Sequence, residues 1–472
     1  MRKMRMSSER GYVDHIRGGT VSGWAQDPTN PDLPAIVEIL VDGRLVACVT
    51  ACIYREDIQR NSIRGGYAGF VYRIPVEFCD GKDHVVNCRL AHDKKPLSNS
   101  PAPFRYDAKA NYVTLARAKQ VFAKRYHDSD LAQAIARTRK VAIVSTYHEL
   151  NIFLEYQKTM FKSLNAAGYT CIIVHNCNSF DARLSVDADA GFLIVRRNMG
   201  YDFGSYATGL STILSQTQLV DEILFINDSI IQTASSLDGL MSRIRALDCD
   251  MVGITDSFDR AYHIQSYFFW VGKKIIKSPF LTNFFATYSV ESQRAQAIED
   301  GELALTSCAL SEGFQVKAIC GYEALASVWL SRQDENRAHL DRLTSKLPTN
   351  VQRRVVMEQF ENTVDFIRRG IAVNPSHFFW DTLLIDFSIP FIKREFVLRN
   401  PAEIASYIRL SEVLDAFPNV QSAIREMRRR YGGERVPPLH LGPESSRAVA
   451  VAPLTIIELR ENLAHRVVEL RA

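Results

Sequence analysis

The stretch GFLIVRRNMGYDFGSYATGLSTILSQTQLVDEILFINDSIIQ, residues 191–232, decides how this chain is interpreted. Two apolar runs within it, Phe192–Val195 and Glu222–Ile226, have the length and composition of buried strands, and each ends in polar residues. A loop that contains glycines and a helical segment beginning near Ser205 lie between them. This order predicts a β-loop-α-β unit. In open α/β sheets ligands bind beyond the carboxyl ends of the strands, so the polar residues there are the expected site.

The composition predicts a soluble globular chain of two or three domains. The chain has 472 residues, of which 46% are hydrophobic and 23% charged. Its net charge of +4 is small for this length and argues neither for nor against nucleic acid. No nucleic-acid partner is expected. Basic residues cluster near both ends, at Arg2, Lys3, Arg5, Arg425, Arg428, Arg429 and Arg430. These residues either form solvated faces or attract the chain to an anionic membrane surface.

The cysteine pattern indicates a reducing compartment. The nine cysteines are irregularly spaced, without a CxxC pair or a Cys/His ligand pattern. Apolar neighbours of Cys171, Cys249 and Cys320 are typical of reduced core cysteines. The first residues lack the apolar part of a signal peptide, and no run approaches the roughly eighteen apolar residues of a membrane helix. The expected location is the cytoplasm, or peripherally the inner face of the plasma membrane.

Changes of pattern along the chain predict five segments. They are a disordered tail (1–10), a small antiparallel β-sandwich (11–107), a helical connector (108–139), an α/β domain (140–430) and a loosely ordered tail with a short helix (431–472). Short alternating runs and turn signals such as Asp42-Gly43 indicate the sandwich. Apolar residues at helical spacing indicate the connector.

The first hundred residues contain phrases of a known module. GWAQDPTNPDLP (23–34), VEILVDG (37–43) and GYAGFVYRIP (66–75) resemble a β-sandwich module attached to bacterial glycan-synthesis enzymes. Trp24 and the tyrosines of this region have two interpretations. They either bind a sugar by stacking or fill the core of a small sandwich.

The sequence Asn227-Asp228-Ser229 at the end of the second strand is the first of three candidate reactive sets. A carboxylate at Asp228 is suited to hold Mg²⁺ or Mn²⁺ against a diphosphate, because hard cations prefer oxygen ligands. The alternative is a helix N-cap, since Asp or Ser after a strand often begins a helix.

The loop from Arg196 to Tyr206 is the second set. Its glycines permit close backbone approaches, and the start of the following helix offers N–H groups to a phosphate. Arg196 and Arg197 are expected to neutralise phosphate, and Asp202 to hydrogen-bond a ribose or sugar hydroxyl. We therefore interpret this region as a nucleotide-sugar site. The alternative is a tight glycine turn with a solvated arginine pair.

Glu302, with Glu299 and Asp300 beside it, is the third set. Inverting transfer to a hydroxyl needs a carboxylate base that takes the acceptor proton. It also needs positive charge that compensates the leaving diphosphate. The alternative is a solvated helix start, where the helix dipole favours acidic residues.

Six motifs, taken in order, resemble those of the rhamnan synthesis F family of bacterial polysaccharide glycosyltransferases. They are RRNMGYDFGSY (196–206), ILFINDSI (223–230), HIQSYFF (263–269), GELALT (301–306), NPSHFFWD (374–381) and PFIKRE (390–395). The resemblance covers residues 140–405 and implies a GT-A-like fold. It also implies transfer of a sugar such as rhamnose to a growing cell-surface polysaccharide, an O-antigen, a capsule or a rhamnan.

The resemblance further implies roles for individual residues. The donor-side loop contains Asn198, Gly200, Asp202, Phe203 and Gly204, and Asn227, Asp228 and Ser229 stand where GT-A enzymes keep an Asp-x-Asp metal motif. Glu302 matches the position of the base. The acceptor side is formed by His263, Gln265, Ser266, His377, Trp380 and Asp381. Lys393 and Arg394 either bind a phosphate of the donor or lipid carrier, or form a surface salt-bridge pair.

We therefore expect an inverting, GT-A-like glycosyltransferase with an N-terminal β-sandwich. Its expected partners are a nucleotide-sugar donor and a glycan or lipid-linked glycan, and its expected cofactor is Mg²⁺ or Mn²⁺ at Asp228. The alternative is a non-catalytic glycan-binding or scaffolding protein, which the single acid of the metal motif favours. A nucleotide-dependent oxidoreductase is disfavoured, because TYHELN after Ser145 contains no glycine of a GxGxxG loop.

Overall fold

The computed structural model describes most of the chain. The described residues are 10–61, 63–111, 121–148, 151–178, 184, 190–234, 236–288, 298–347, 349–410 and 417–431. Almost all of the two predicted tails, residues 1–9 and 432–472, lies outside this description, as do residues 112–120 of the predicted connector. Every candidate site residue of the six motifs lies within it.

Residues 11–104 form two antiparallel four-stranded sheets. Their strands are β1 (Gly11–Arg17), β2 (Thr20–Ala25), β3 (Ile36–Val41), β4 (Arg44–Thr50), β5 (Ile53–Tyr54), β6 (Tyr67–Arg73), β7 (His84–Leu90) and β8 (Ala102–Phe104). Helical turns occur at Glu56–Gln59 (α1), Arg64–Gly66 and Val76–Phe78. The sheet orders are β1-β2-β6-β5 and β4-β3-β7-β8. Inward residues of both sheets, among them Val37, Ile39 and Phe70, share one core.

The structure shows the conformation of the predicted turn at Asp42-Gly43 and the surroundings of Trp24. Asp42 and Gly43, which join β3 to β4, have φ angles of 50° and 80°, and positive φ at both central residues is the geometry of a tight hairpin turn. Trp24 is buried against Ile58 and Ile63. Trp24 is therefore a core residue and presents no ring face to a sugar.

The second region is built on a mixed nine-stranded sheet. Its strands are β9 (Val121–Arg125), β10 (Lys140–Tyr147), β11 (Thr170–Cys177), β12 (Phe192–Arg197), β13 (Glu222–Asn227), β15 (Met251–Ser257), β16 (His263–Ile264), β17 (Phe268–Gly272) and β18 (Val316–Cys320). The order is β16-β15-β17-β13-β10-β11-β12-β9, with β18 beside β15. The central strands β13, β10, β11 and β12 are parallel. Two further strands, β14 (Ile230–Gln232) and β19 (Phe391–Lys393), pair with each other.

Helices cover both faces of this sheet. They are α2 (Asp128–Thr138), α3 (Glu155–Ala166), α4 (Tyr201–Ile213), α5 (Asp238–Ala246), α6 (Lys273–Lys277), α7 (Phe280–Ala286), α8 (Ala304–Ser311), α9 (Tyr322–Ser331), α10 (Gln333–Thr344), α11 (Asn350–Arg368), α12 (Pro375–Phe378), α13 (Trp380–Ile385), α14 (Arg394–Arg399) and α15 (Pro418–Tyr431), with 3₁₀ turns at Leu214–Leu219 and Ala405–Arg409 and a π turn at Ile298–Leu303. Alternate residues of β10 enter different cores, as side chains of a strand do. Val144 packs with α3, and Ile143 packs with α4. None of the helices in the described residues combines the length and apolar composition that a membrane crossing needs.

The predicted helical connector, residues 108–139, is wrong over part of its length. Val121–Arg125 form strand β9, which pairs antiparallel with β12, while Asp128–Thr138 form the helix α2. Val121 and Ala123 are half-buried, whereas Phe122 and Lys124 between and beyond them are exposed. This two-residue alternation is typical of a strand, and the pairing satisfies backbone groups that the edge of β12 would otherwise leave open.

Candidate active site

The carboxyl ends of the central parallel strands bring the predicted motifs together. Ser145 of β10 lies opposite Asn227 of β13, and Asn176 of β11 lies opposite Arg196 of β12. Because these strands are parallel, their carboxyl ends share one edge of the sheet, which is where open α/β sheets bind ligands. Asn176 Nδ2 also donates to Ser205 Oγ over 2.7 Å, which ties the start of α4 to the same edge.

The loop after β12 is packed too closely for a side chain at Gly204. A Cβ there would lie 2.2 Å from the carbonyl oxygen of Met199 and 2.8 Å from Arg196 Nη1. Arg196 is fully buried, and its Nη2 donates to the Met199 carbonyl over 2.9 Å. Burial lowers the pKa of Arg196 to about 10. The structure thus places Arg196 beneath the loop as its support, in place of the predicted phosphate contact, while Arg197 and Asn198 are exposed.

The same loop enters α4 in a fixed conformation. Gly200 has a φ of 72°, which favours glycine. Its carbonyl accepts a hydrogen bond from the Tyr288 hydroxyl over 3.0 Å. Phe203 stacks on the Tyr288 ring with centroids 5.6 Å apart. The first turn of α4 is therefore anchored on both sides, and this anchoring fixes the direction of Asp202.

Asp202 connects the loop to the end of β13. Ser145 Oγ donates to Asp202 Oδ1 over 2.9 Å, and Asn227 Nδ2 donates to Asp202 Oδ2 over 2.8 Å. Burial and the neighbouring Asp228 carboxylate raise the pKa of Asp202. Asn227 Oδ1 in turn accepts a hydrogen bond from the Ser229 N–H over 3.1 Å. Two of the predicted sets therefore form one hydrogen-bonded network.

Asp228 is buried next to Asn227, and one of its carboxylate oxygens is surrounded by donors. Its Oδ2 accepts hydrogen bonds from the Tyr147 N–H (3.1 Å) and from Gln157 Nε2 (2.8 Å), and Arg394 Nη1 lies 3.4 Å away. The alternative interpretation of Asp228 as a helix N-cap is wrong, because Ile230–Gln232 form strand β14.

Lys393 reaches the site through the pairing of β14 with β19. Its Nζ donates to Ser229 Oγ over 3.0 Å and lies 4.0 Å from the centre of the Tyr267 ring. Burial lowers the pKa of Lys393 to about 8, although the carboxylates of Glu302 and Asp202 act in the opposite direction. Lys393 therefore faces the candidate site, and the alternative of a surface salt-bridge pair does not describe it.

Glu302 lies on the π turn Ile298–Leu303. Its Oε1 accepts a hydrogen bond from the Ser266 N–H over 2.7 Å, and its Oε2 has no hydrogen-bond partner among the described residues. The Ser266 carbonyl accepts a hydrogen bond from the Tyr206 hydroxyl over 3.1 Å. The predicted helix start is thus a half-buried π turn, a feature frequent at functional sites.

Comparison with known proteins identifies the region that holds most of these residues. The family model described as Rhamnan synthesis protein F matches residues 173–356. This part of the chain is similar to the rhamnan synthesis F family. The match contains the first four of the six motifs, so the resemblance predicted from them is confirmed for these residues.

The individual proteins that resemble this chain have low sequence identity to it. The virulence protein VirA of Vibrio anguillarum (strain ATCC 68554 / 775) is 27% identical over 281 residues, which cover 58% of this chain and 85% of VirA. The uncharacterized protein y4gN of Sinorhizobium fredii is 24% identical over 203 residues, which cover 42% of this chain and 52% of y4gN. A solved structure, described as a candidate nucleotide-diphospho-sugar transferase of Desulfovibrio desulfuricans G20, is 12% identical over 38% of this chain and 79% of its own. Its TM-score of 0.23 is too low to assign the fold from it.

Three of the predicted acceptor-side residues lie along the HIQSYFF motif of this chain. His263 is buried and hydrogen-bonds a backbone carbonyl through Nδ1. Gln265 Oε1 accepts a hydrogen bond from Thr255 Oγ1 (2.7 Å), and its Nε2 donates to Asn374 Oδ1 (3.3 Å). Gln265 therefore links this motif to the NPSHFFWD motif, and Ser266 supports the candidate base.

The structure does not bring Trp380 and Asp381 to the acceptor side. Trp380 is buried and donates from Nε1 to Ser406 Oγ over 2.8 Å. Asp381 Oδ2 accepts a hydrogen bond from Arg409 Nη1 over 2.7 Å, and burial raises the pKa of Asp381. Both residues begin α13, which turns them into the C-terminal core. His377 before them is buried, and burial together with a nearby lysine ammonium lowers its pKa to about 4.

Two residues of the site, Gln157 and Asn176, were not predicted from the sequence. Nucleotide contacts were expected just after Ser145, in the loop that holds Tyr147, and Tyr206 ends the predicted donor loop. Gln157 carried a usable signal, because it is a polar residue on the apolar face of the amphipathic helix α3. Tyr206 belongs to the RRNMGYDFGSY motif, but its residue type and spacing do not distinguish it from an ordinary aromatic residue of the core.

The N-terminal sandwich contacts the turn that carries Glu302. Arg73 donates from Nη2 to the Asp300 carbonyl and from Nη1 to Phe284 O (3.2 Å) and Thr287 Oγ1 (3.0 Å). Its guanidinium carbon lies 4.5 Å from the centre of the Phe284 ring. A cleft of about 410 Å³ lies beside this contact, between the two regions. The position of the π turn thus depends on the sandwich.

Replacing Gly301 with alanine is expected to lower kcat by roughly 10- to 100-fold, because small misplacements of a reacting group carry costs of this order. A Cβ on Gly301 would lie 2.6 Å from the Phe203 ring, which is held between Tyr288 and Phe284. The π turn must therefore move, and Glu302 moves with it. Initial rates measure the effect, and Gly239→Ala is the control, because a Cβ there meets no atom within 4 Å. Unchanged kcat in a folded Gly301→Ala variant would contradict this expectation.

Proposed function

We propose that this chain is a glycosyltransferase that moves a sugar from a nucleoside diphosphate donor to a glycan acceptor. The observation that carries the proposal is the meeting of Asp202, Asp228, Lys393 and Glu302 at the carboxyl edge of the parallel strands. The match of residues 173–356 to a family described by rhamnan synthesis supports a role in making a polysaccharide.

The geometry suggests how the donor and acceptor are arranged. The exposed Arg197 and the amino end of α4 are suited to the negative charge of the diphosphate. Asp202, held by Ser145, is suited to a hydroxyl of the ribose or sugar. Glu302 faces the same space with one oxygen bound to the Ser266 N–H. A hydroxyl acceptor that gives its proton to Glu302 attacks the sugar carbon opposite the diphosphate, which gives inversion.

The finer parts of this proposal concern the sugar and the fold. The family description supports rhamnose as the transferred sugar and a cell-surface polysaccharide as the product. The parallel strands with the donor loop at their carboxyl ends support a GT-A-like arrangement. The rival is a scaffolding protein that binds glycan or donor without turnover.

Sugar-nucleotide turnover by the purified full chain tests the proposal. Release of nucleoside diphosphate is measured with dTDP-rhamnose, GDP-fucose, GDP-mannose and UDP-sugars, with and without a glycan acceptor. We expect release from one donor class. Donor binding by calorimetry without release in the presence of acceptor would favour the scaffold, and absence of binding to every donor would contradict the transferase.

A further inference from the structure

Both oxygens of Asp202 and one oxygen of Asp228 already face protein donors. Asp228 Oδ2 accepts hydrogen bonds from Tyr147 and Gln157 and lies 3.4 Å from Arg394 Nη1. Both oxygens of Asp202 accept hydrogen bonds from protein side chains. In the part of the chain that the structure describes, no group of three or more His, Cys, Asp or Glu side chains could hold a metal ion.

These contacts do not fit the metal that the sequence predicts at Asp228. Mg²⁺ demands near-ideal octahedral oxygen geometry and binds through carboxylates whose oxygens are turned toward it. The Asp228 oxygen that faces Tyr147 and Gln157 is committed to N–H donors, and the nearby guanidinium of Arg394 already compensates its charge. A divalent cation at Asp228 would lie next to the guanidinium of Arg394 and would be repelled by its positive charge.

Lys393, unlike Arg394, forms no ion pair with a carboxylate of the described residues. Its Nζ donates to Ser229 Oγ and lies over the Tyr267 ring, and no carboxylate of the described residues lies within salt-bridge distance of it. An ammonium group has three N–H donors, and Ser229 uses one. A half-buried cation that has neither a carboxylate partner nor full hydration is suited to an anionic ligand.

The backbone holds this ammonium beside the donor network. β14 follows Asp228 and Ser229 directly, and its residue Ile230 pairs with Lys393 in β19. The Arg394 N–H donates to the Ser229 carbonyl over 2.8 Å. Lys393 therefore stays in register with the end of β13, which carries Asn227 and Asp228.

We propose that the Lys393 ammonium binds the diphosphate of the donor and offsets its charge during transfer, so that the reaction needs no divalent metal at Asp228. This inference rests on the proposed function. The bond between the sugar carbon and the diphosphate oxygen breaks, and its electron pair leaves on the diphosphate beside Lys393. The acceptor oxygen forms the new bond to the same carbon, and its proton passes to Glu302.

Calorimetric titration of the chelator-treated full chain with UDP, GDP and dTDP tests this role separately from turnover. We expect one of these nucleotides to bind without metal and added Mg²⁺ or Mn²⁺ to change the dissociation constant by less than about threefold. Lys393→Gln is expected to weaken binding by roughly 10- to 100-fold, the range for a lost hydrogen bond to a charged group. Lys393→Arg, which keeps the charge, is expected to restore part of the affinity.

The control is Lys317→Gln, which removes an exposed cation on β18 and is expected to leave the dissociation constant unchanged. Thermal unfolding confirms that each variant is folded. Binding that requires Mg²⁺ or Mn²⁺, or a folded Lys393→Gln variant with unchanged affinity, would overturn the inference and leave the transferase function standing. Absence of nucleotide binding with and without metal would contradict both.

Discussion

Replacing Glu302 with glutamine is expected to lower kcat by about 10²- to 10⁴-fold, the usual contribution of a general base. Glutamine has the same shape and keeps an oxygen that accepts the hydrogen bond from the Ser266 N–H, which Glu302 Oε1 accepts over 2.7 Å. It cannot take a proton from an acceptor hydroxyl. Donor binding and the free energy of unfolding are therefore expected to stay close to those of the wild type.

The measurement is the initial rate of nucleoside diphosphate release with acceptor present, together with calorimetric binding of the donor. Glu299→Gln is the matched control, because Glu299 lies on the same π turn but pairs with Arg260 over 2.9 Å. Partly exposed ion pairs contribute little, so this control is expected to stay within about threefold of the wild type. A Glu302→Gln variant that keeps a tenth or more of the wild-type kcat would rule out Glu302 as the base.

Local sequence patterns predicted the central part of this fold. The runs Phe192–Val195 and Glu222–Ile226 became β12 and β13 almost without change of bounds, because a buried parallel strand is a short apolar run. The polar residues that end these runs meet at one edge, as parallel strands require. Asp202 and Asn227 therefore came together as the sequence indicated.

Positions that depend on distant pairing were harder to predict. The sequence left Lys393 as either a phosphate ligand or part of a surface salt-bridge pair, and only the pairing of β14 with β19 shows that it lies at Ser229, 164 residues earlier in the chain. Arg196 ends an apolar run and resembles an exposed cation, yet Gly204 lets α4 approach so closely that Arg196 is buried. Neither outcome follows from residue type or local spacing.

Some local patterns were ambiguous for physical reasons. Val121–Arg125 fits a helix by the spacing of its apolar residues. It forms a strand because its backbone pairs with the otherwise open edge of β12. By residue type, Trp380 suits a sugar-binding surface as well as a core. In the structure it is packed in the C-terminal core. Tertiary contacts choose between two structures that the local sequence allows equally.

The contact between Arg73 and the Asp300 carbonyl gives the sandwich a physical connection to the reaction. Arg73 also contacts Phe284 and Thr287, and the same segment carries Tyr288, whose hydroxyl holds Gly200 in the donor loop. One segment between the two regions therefore supports both the candidate base and the candidate donor loop. The sandwich acts on the site through these contacts, without offering a site of its own at Trp24.

Replacing Glu222 with glutamine is expected to lower the free energy of unfolding at pH 7 by about 3 kcal/mol, because it breaks a buried, charged hydrogen-bond cluster. Glu222 is 7% exposed at the amino end of β13. Its Oε2 accepts hydrogen bonds from Trp270 Nε1 (2.7 Å) and the Tyr169 hydroxyl (2.8 Å), and Arg245 Nε lies 3.1 Å from Oε1. A glutamine amide presents an NH₂ group to these donors and leaves some of them unpaired.

This loss is expected to depend on pH with a defined sign. Burial opposes ionisation of Glu222, but hydrogen bonds from Trp270, Arg245 and Tyr169 outweigh it, so the pKa lies below its ordinary value of 4.5. A lowered pKa in the folded state stabilises the protein above the unfolded pKa, and this stabilisation disappears as the pH falls through the folded pKa. The difference between wild type and Glu222→Gln is therefore expected to be full near pH 7 and to shrink below about pH 4.5.

Urea unfolding followed by tryptophan fluorescence at pH 7 and pH 4 measures this difference. The neighbouring Asp221→Asn is the matched control, because Asp221 is partly exposed and pairs with Arg139 and Lys273 on the surface. Its removal is expected to cost less than about 1 kcal/mol. Nucleotide binding by folded Glu222→Gln is expected to equal that of the wild type, since Glu222 begins β13 and the site lies at the other end. An equal loss of stability for the two variants would show that the buried cluster contributes no more than a surface ion pair.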